Sequence, residues 1–249
     1  MYLKKTVINI VNWLRDKVHE ANANGLIVGL SGGLDSAVVA HLIKQAFPEN
    51  SLAVIMPIHS NPVDIEHAYK VVESCRISYI EVDLTESHQL MFQTIKQATK
   101  SEEWNEANER IADANLRARL RMSTLYTLAT NYRYLVTGTD NAAEWLTGYF
   151  TKYGDGGVDL QPIIDLTKRE VAQMAKYLGV PEEVIAKKPS ADLWIGQTDE
   201  EEMGTTYDMI DDYLDGKDIP EREREIIENM HRRTKHKRQL PPQFRFKKI

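Results

Sequence analysis

The segment that most constrains the fold is a short apolar run, Leu26-Ile27-Val28-Gly29-Leu30. It passes straight into Ser31-Gly32-Gly33-Leu34-Asp35-Ser36 and then into a helical pattern over 35–47 halted at Pro48. An apolar run of this length bounded by glycines predicts a buried strand. Paired glycines permit a tight turn whose amides face an anion, the helix start adds its dipole, and Ser31 and Ser36 add hydroxyl donors. Strand, glycine turn and helix in that order therefore predict a phosphate site. The turn lacks the lysine of a Walker A sequence and the spacing of a GxGxxG fingerprint, so a different phosphate chemistry is implied. Asp35 would repel a phosphate unless a cation intervened, which points to Mg2+ bridging carboxylate and phosphate oxygens. The plainer alternative is an ordinary Gly-Gly turn with Asp35 in the first helical turn.

Around this unit the pattern alternates. Leu3, Val7, Ile10, Leu14 and Val18 recur at helical spacing, predicting an amphipathic helix that ends before Asn24-Gly25. Further strands are predicted over 52–56, 77–82 and 134–137. Asn61-Pro62 supplies an N-cap and first-turn proline for a helix through Cys75, and helical patterns over 85–98 and 106–130 form a long crossover before the last strand. Such alternation predicts an α/β fold: a doubly wound, mostly parallel sheet with helices on both faces and more helices toward the C-terminus. The first and fourth strands are the candidates for the point where strand order reverses, the usual place for a ligand. Thr167 with Glu170 and Thr198 with Glu201 read as capping boxes, and Leu178-Gly179 with Pro181 as a helix stop. Residues 139–165 and 187–197 read as irregular, and long irregular stretches in compact domains are usually functional or disordered.

Composition narrows the classes. The 249 residues, 42% of them hydrophobic, suffice for one core, and without repeats or a linker a single domain over 1–249 is expected. A net charge of -6 argues against a general polyanion-binding protein, so any phosphate site must be local. Cys75 stands alone, which excludes an intrachain disulfide and fits a reduced, cytoplasmic setting. Asn9, Asn12, Arg15 and Asp16 interrupt the N-terminal apolar run, so neither a signal peptide nor a membrane span is expected. The seven histidines lack a metal-ligand spacing. The run from His231 to Arg238 holds seven basic or histidine residues; as a solvated end it needs no nucleic acid, although RNA binding is the alternative.

Five later segments add chemistry. Asn115 and Arg119 fall four apart, on one helix face that could equally be a solvated basic surface with Arg110, Arg117 and Arg121. Gly138-Thr139-Asp140 runs off the fourth strand into Asn141-Ala142-Ala143-Glu144, where Glu144 is either a site carboxylate or a surface helix residue. The stretch from Thr147 to Asp159 combines glycines, aromatics, Lys152, Asp155 and Asp159, which suits a pocket for a flat ring flanked by charge. Lys168 sits at a helix start, where a cation opposes the dipole and so does not serve helix stability. Lys187-Lys188-Pro189-Ser190 begins a second loop.

The Ser31 to Ser36 turn resembles the pyrophosphatase loop of enzymes that cleave ATP between its α and β phosphates, among them NAD, GMP and asparagine synthetases and tRNA-thiolating enzymes. With the later segments, nearly the whole chain resembles the ammonia-dependent NAD synthetases. The resemblance implies an adenine-nucleotide alpha-hydrolase-like fold, a homodimer, and ATP, deamido-NAD and ammonia as substrates with Mg2+ as cofactor. NAD, AMP and pyrophosphate would form through an adenylylated nicotinate carboxylate. It implies that Gly29, Leu30, Ser31, Gly32, Gly33, Leu34, Asp35, Ser36, Thr139, Lys168 and Ser190 hold ATP, and that Asp35 and Glu144 hold the metal. Asn115, Arg119, Lys152, Asp159, His236 and Lys237 would hold deamido-NAD, with Asp155 and Lys168 at the reacting centre. No glutaminase half with a cysteine nucleophile is recognisable, so free ammonia is the expected donor. A thiolating enzyme would need catalytic cysteines beyond Cys75. A regulatory module that merely holds ATP would not need the Tyr149 to Asp159 segment or Lys168.

Overall fold

The computed structural model describes residues 2–99, 103–189 and 198–245. Strands β1 (Gly25–Gly29), β2 (Ser51–Ile55), β3 (Ser78–Glu81) and β4 (Tyr134–Thr137) pair in parallel in the order β3-β2-β1-β4. Leu26 of β1 lies opposite Ser51 of β2 and Leu135 of β4. The chain steps outward from β1 through β2 to β3 and then crosses back to lay β4 on the far side of β1. The reversal therefore falls between β1 and β4, where the sequence places it.

Alternation along the strands explains the layers. Leu26 and Val28 point to one face, into a core with Val7, Leu14 and Val18 of α1 (Tyr2–Glu20). α2 (Leu34–Ala46), α3 (Pro62–Cys75) and α7 (Lys168–Leu178) close the same core through residues such as Leu42, Val71 and Met174. Ile27, Leu52, Val54 and Val136 point the other way, against Leu125 and Ala129 of α5 (Glu109–Tyr132). Burial on both faces is why β1 and β2 read as continuous apolar runs, while β3 at the sheet edge is mostly exposed. α5 and α4 (Thr85–Ala98) make up the long crossover, joined through a 3-10 turn at Glu106–Asn108.

A separate small core gathers the C-terminal helices: Ala143 of α6 (Ala142–Thr147), Met203 of α9 (Asp199–Met203), Tyr207 and Ile210 of α10 (Tyr207–Leu214) and Ile227 of α11 (Glu221–Arg233). α8 (Glu182–Ala186) follows α7. Caps behave as the sequence predicts at α3, where Asn61 accepts from the Val63 amide, and at α7, where Thr167 and Glu170 form a full capping box. α6 is the departure, since it lies inside the stretch read as irregular. Asn141 accepts from the amides of Ala143 and Glu144, and the Glu144 side chain accepts from the Asn141 amide. A helix of six residues is too short to show a periodicity, so only this cap announces it. Among the described residues no helix is long and apolar enough to cross a membrane.

Candidate active site

The glycine turn is built around two hydroxyls. Ser36 Oγ donates to Gly33 O at 3.0 Å, the Ser31 amide lies 3.3 Å from Ser36 Oγ, and the Gly33 amide donates to Ser31 Oγ at 3.2 Å. Gly32 has φ +77, and a Cβ there would stand 2.1 Å from the backbone oxygen of Asp64, so the turn can pass beneath α3 only with glycine. Gly33 is the N-cap of α2 and offers no side-chain acceptor, which leaves the first-turn amides directed at whatever occupies the cavity above.

That cavity, about 560 Å³, lies over the carboxyl ends of β1 and β4. Asp35 enters it from the start of α2, Glu144 from α6, and Lys168 from the start of α7. Lys168 Nζ is 2.5 Å from Asp35 Oδ2 and 3.5 Å from Glu144 Oε1. Asn141 Nδ2 donates to Asp35 Oδ1 at 2.9 Å, so one residue both starts α6 and fixes the glycine-loop carboxylate. Two carboxylates thus converge on one cation. Hard oxygen donors of this kind suit Mg2+, which takes one or two protein carboxylates and fills its shell with water and substrate phosphate. Among the described residues no group of three or more potential ligands forms a closed cage.

Electrostatics follow from crowding. Burial, together with the Asp35 charge, pushes Glu144 up to about 7. Burial works against the charged form of Lys168, but Asp35 and Glu144 outweigh it and hold its pKa above the ordinary lysine value. Asp140, buried behind them, is held well above the carboxylate range by burial and by Asp155, Glu144 and Asp35. Burial raises Asp155 too, although the Thr151 amide donates to it at 2.8 Å. An acidic cluster that is partly protonated when alone is prepared to take up cationic charge.

Gly29, Leu30, Ser31, Gly33, Leu34, Ser36, Thr139, Asn115, Asp155 and Lys237 line the same cavity. Asn115 Oδ1 receives the Thr151 hydroxyl at 2.7 Å, joining α5 to the aromatic loop. Arg119, Lys152 and His236 gather at its edge instead: Arg119 donates to Lys152 O at 3.4 Å and Lys152 Nζ to His236 O at 2.6 Å, and none of the three lines the cavity. Asp159 is likewise outside it. Its carboxylate accepts from the Val136 amide at 2.8 Å and from the Tyr126 hydroxyl at 2.9 Å, which fastens the aromatic loop to β4. Ser190 lies outside the described residues, as does most of the second loop; Lys187 at its start pairs with Asp64 at 2.5 Å.

The basic run near the C-terminus is divided: His231, Arg232, Arg233, Lys235 and His236 are exposed, while Lys237 and Arg238 are partly buried. Arg238 donates to Trp145 O, His231 to Leu146 O, Thr234 to Thr147 O, and Lys237 to Gly148 O and Phe150 O. All but Phe150 O are carbonyls that the end of α6 leaves unpaired, so the run caps a helix and Lys237 adds to the cavity wall.

Sequence reasoning missed several groups that line the cavity or stand directly behind its wall. Arg121, grouped with a basic face, turns into the cavity and donates to Met56 O at 3.1 Å. Asp140 and Asn141 were legible only as loop residues, although Asn141 through Glu144 carries the cap pattern that would have found α6. Asp199, Tyr149 and Tyr207 form a chain of hydrogen bonds ending on Glu144: Tyr149 to Asp199 at 3.2 Å, Tyr207 to Asp199 at 3.0 Å, and Tyr207 to Glu144 at 3.1 Å. Tyr149 falls in the aromatic stretch the sequence singles out and Asp199 at the end of the second loop, whereas no local pattern marks Tyr207.

Known proteins match this architecture throughout. A family model described as NAD synthase matches residues 6–241. The NH(3)-dependent NAD(+) synthetase of Alkaliphilus oremlandii (strain OhILAs) is 57% identical over 241 residues, 96% of each chain. Among solved structures, the NMN synthetase from Francisella tularensis has a TM-score of 0.91 at 39% identity, covering 98% of this chain and 99% of that one. The NH3-dependent NAD synthetase from Campylobacter jejuni, in complex with the nitrate ion, has a TM-score of 0.77 at 29% identity, covering 98% and 100%. The chain belongs to the NAD synthase family.

Proposed function

We propose that the protein amidates deamido-NAD with ammonia at the expense of ATP, giving NAD, AMP and pyrophosphate. The observation that carries the reading is the convergence of Asp35, Glu144 and Lys168 beside the glycine turn, at the switch point of the sheet. A carboxylate does not react with ammonia because its leaving group would be oxide; adenylylation replaces that leaving group with AMP. The nicotinate carboxylate attacks the α-phosphorus, pyrophosphate leaves, and ammonia then displaces AMP. Lys168 and the turn amides offset charge on the departing phosphates, and no protein nucleophile is required.

Mg2+, held by Asp35 and Glu144, would supply charge neutralisation on the phosphate oxygens. The convergence of these two carboxylates on the Lys168 ammonium supports that assignment. Asp155, raised by burial, is a proton acceptor for ammonium, with Asp140 behind it as a second buried carboxyl. Lys237 and Asn115, which line the cavity, are assigned to deamido-NAD, and Arg119, Lys152 and His236 to the outer end of the dinucleotide. Asp159 serves by fastening the loop. One domain carries all of this. A homodimer is supported by the exposed apolar side chains along the crossover helices, Leu90, Met91, Ile95 and Ile111. Leu90→Glu with Ile111→Glu should then give a monomer by light scattering.

The test is incubation with ATP, Mg2+, ammonium and deamido-NAD, with NAD and AMP measured in equal amounts. Nicotinic acid mononucleotide is assayed beside it because the Francisella structure is an NMN synthetase. Preference for the mononucleotide would move the substrate assignment, and turnover with glutamine would overturn the ammonia assignment.

A further inference from the structure

α10 grips Lys168 at both ends. As the first residue of α7, Lys168 has a backbone amide that the helix leaves unpaired. The fully buried Asp211 fills that place, with Oδ1 accepting from the Lys168 amide at 3.1 Å and Oδ2 from the Arg169 amide at 2.9 Å. Four residues earlier, on the same face of α10, Tyr207 meets the other end of the side chain, with Lys168 Nζ 4.6 Å from its ring centroid. The Tyr207 hydroxyl lies between Glu144 and Asp199, one proton shared by two carboxylates. Arg169 locks the two helices side by side through Asp208 at 2.9 Å and Asp212 at 2.8 Å.

We infer that α10 is the positioning element for Lys168, with Tyr207 and Asp211 as its positioning residues. The inference rests on the function proposed above, in which Lys168 meets the departing phosphates. Asp35 holds Lys168 here, but the same carboxylate is assigned to the metal, whose charge would weaken its hold on the ammonium during turnover. A carboxylate partner also neutralises the ammonium, whereas an aromatic face attracts it through its quadrupole and leaves the full charge available to phosphate. Asp211 anchors the backbone end, so the long stem swings from a fixed point toward a ring that limits where it can go. The helix start, otherwise an unfavourable place for a lysine, is made tolerable by the Asp211 charge at the same amides.

The experiment uses the full chain as wild type, Tyr207→Phe, Tyr207→Leu, Asp211→Asn and Lys168→Met. One readout is pyrophosphate release with ATP, Mg2+ and deamido-NAD; the other is the acetylation rate of Lys168 by acetic anhydride without substrates, read by mass spectrometry against the other lysines. Tyr207→Leu should lower kcat about tenfold or more and leave KM for deamido-NAD within about twofold, while Tyr207→Phe loses less than about threefold. Lys168 should label severalfold faster in Tyr207→Leu than in Tyr207→Phe, and faster in Asp211→Asn than in wild type. Equal kcat losses in the two Tyr207 variants, or unchanged Lys168 labelling in Tyr207→Leu and Asp211→Asn, overturn the inference. Should wild type release no pyrophosphate, the proposed activity fails, and the labelling pattern still decides the grip on Lys168. Thermal unfolding identifies any variant that does not fold, and the contrast between Tyr207→Phe and Tyr207→Leu is read on folded protein.

Discussion

Glu144→Gln removes one charge from the buried cluster while preserving its shape, and the structure sets the size of the effect. Burial and the Asp35 charge raise Glu144 from 4.5 to about 7. The folded chain therefore holds a proton on this group that the unfolded chain has released between about pH 4.5 and pH 7. Stability contributed by this group falls as pH rises through that window and stays flat above it. The difference between 4.5 and about 7 corresponds to about 3 kcal/mol, with little solvent screening because the side chain is only 15% exposed. Glutamine keeps an acceptor for the Asn141 amide or the Tyr207 hydroxyl, and it also serves at the third position of a capping box. Urea unfolding in EDTA at about pH 5 and about pH 8 should show wild type losing about 3 kcal/mol more than the variant. The Asp155 contribution is shared by both proteins and cancels in the difference, whereas Asp140, which Glu144 helps to raise, shifts down in the variant and adds to the contrast. The variant should match or exceed wild-type stability at the higher pH while losing Mg2+-dependent pyrophosphate release. Parallel stability curves for the two proteins would refute the assigned electrostatics.

Gly32→Ala places a Cβ 2.1 Å from Asp64 O at φ +77, so a loss of about 2 kcal/mol or more in thermal unfolding is expected, with ATP binding by calorimetry abolished. Asn141→Ala removes the α6 cap and the bond to Asp35; it should lower unfolding free energy by about 1 to 2 kcal/mol and raise the Mg2+ concentration needed for half-maximal rate. An unchanged Mg2+ requirement would confine Asn141 to helix capping. Lys237→Met should raise KM for deamido-NAD about tenfold and leave KM for ATP unchanged, because Lys237 holds the aromatic loop through Gly148 O and Phe150 O; equal rises in both would place its effect elsewhere.

The acidic cluster has a cost that function explains. Asp35, Asp140, Glu144 and Asp155 crowd one cavity, and Lys168 pairs directly with two of them. Left alone, the site favours protonated Asp140, Glu144 and Asp155; if cations occupied it, the lost electrostatic energy would return as binding. Under the proposed function, stability given up in the free protein would be available as affinity for metal and ammonium.

Local chemistry made much of this protein readable. Asn61 with Pro62, Thr167 with Glu170, and the glycine turn act through hydrogen bonds within a few residues, so they fix helix starts and the turn after β1 wherever the chain goes. The apolar runs likewise fixed the central strands β1 and β2, buried on both faces. Only the tertiary structure decided which side chains meet. Lys168 and Asp35 lie 133 residues apart and touch because β4 returns beside β1, a consequence of the crossover that no spacing encodes. The same holds for Tyr207 and Asp211, ordinary members of a short helix until α10 packs on α7. It holds also for Lys237 and Arg238, which sit in a run that reads as solvated, and mostly is, yet reach the carbonyls at the end of α6. Hydrogen bonds to near neighbours are written in the chain; convergence of distant groups depends on how whole layers pack.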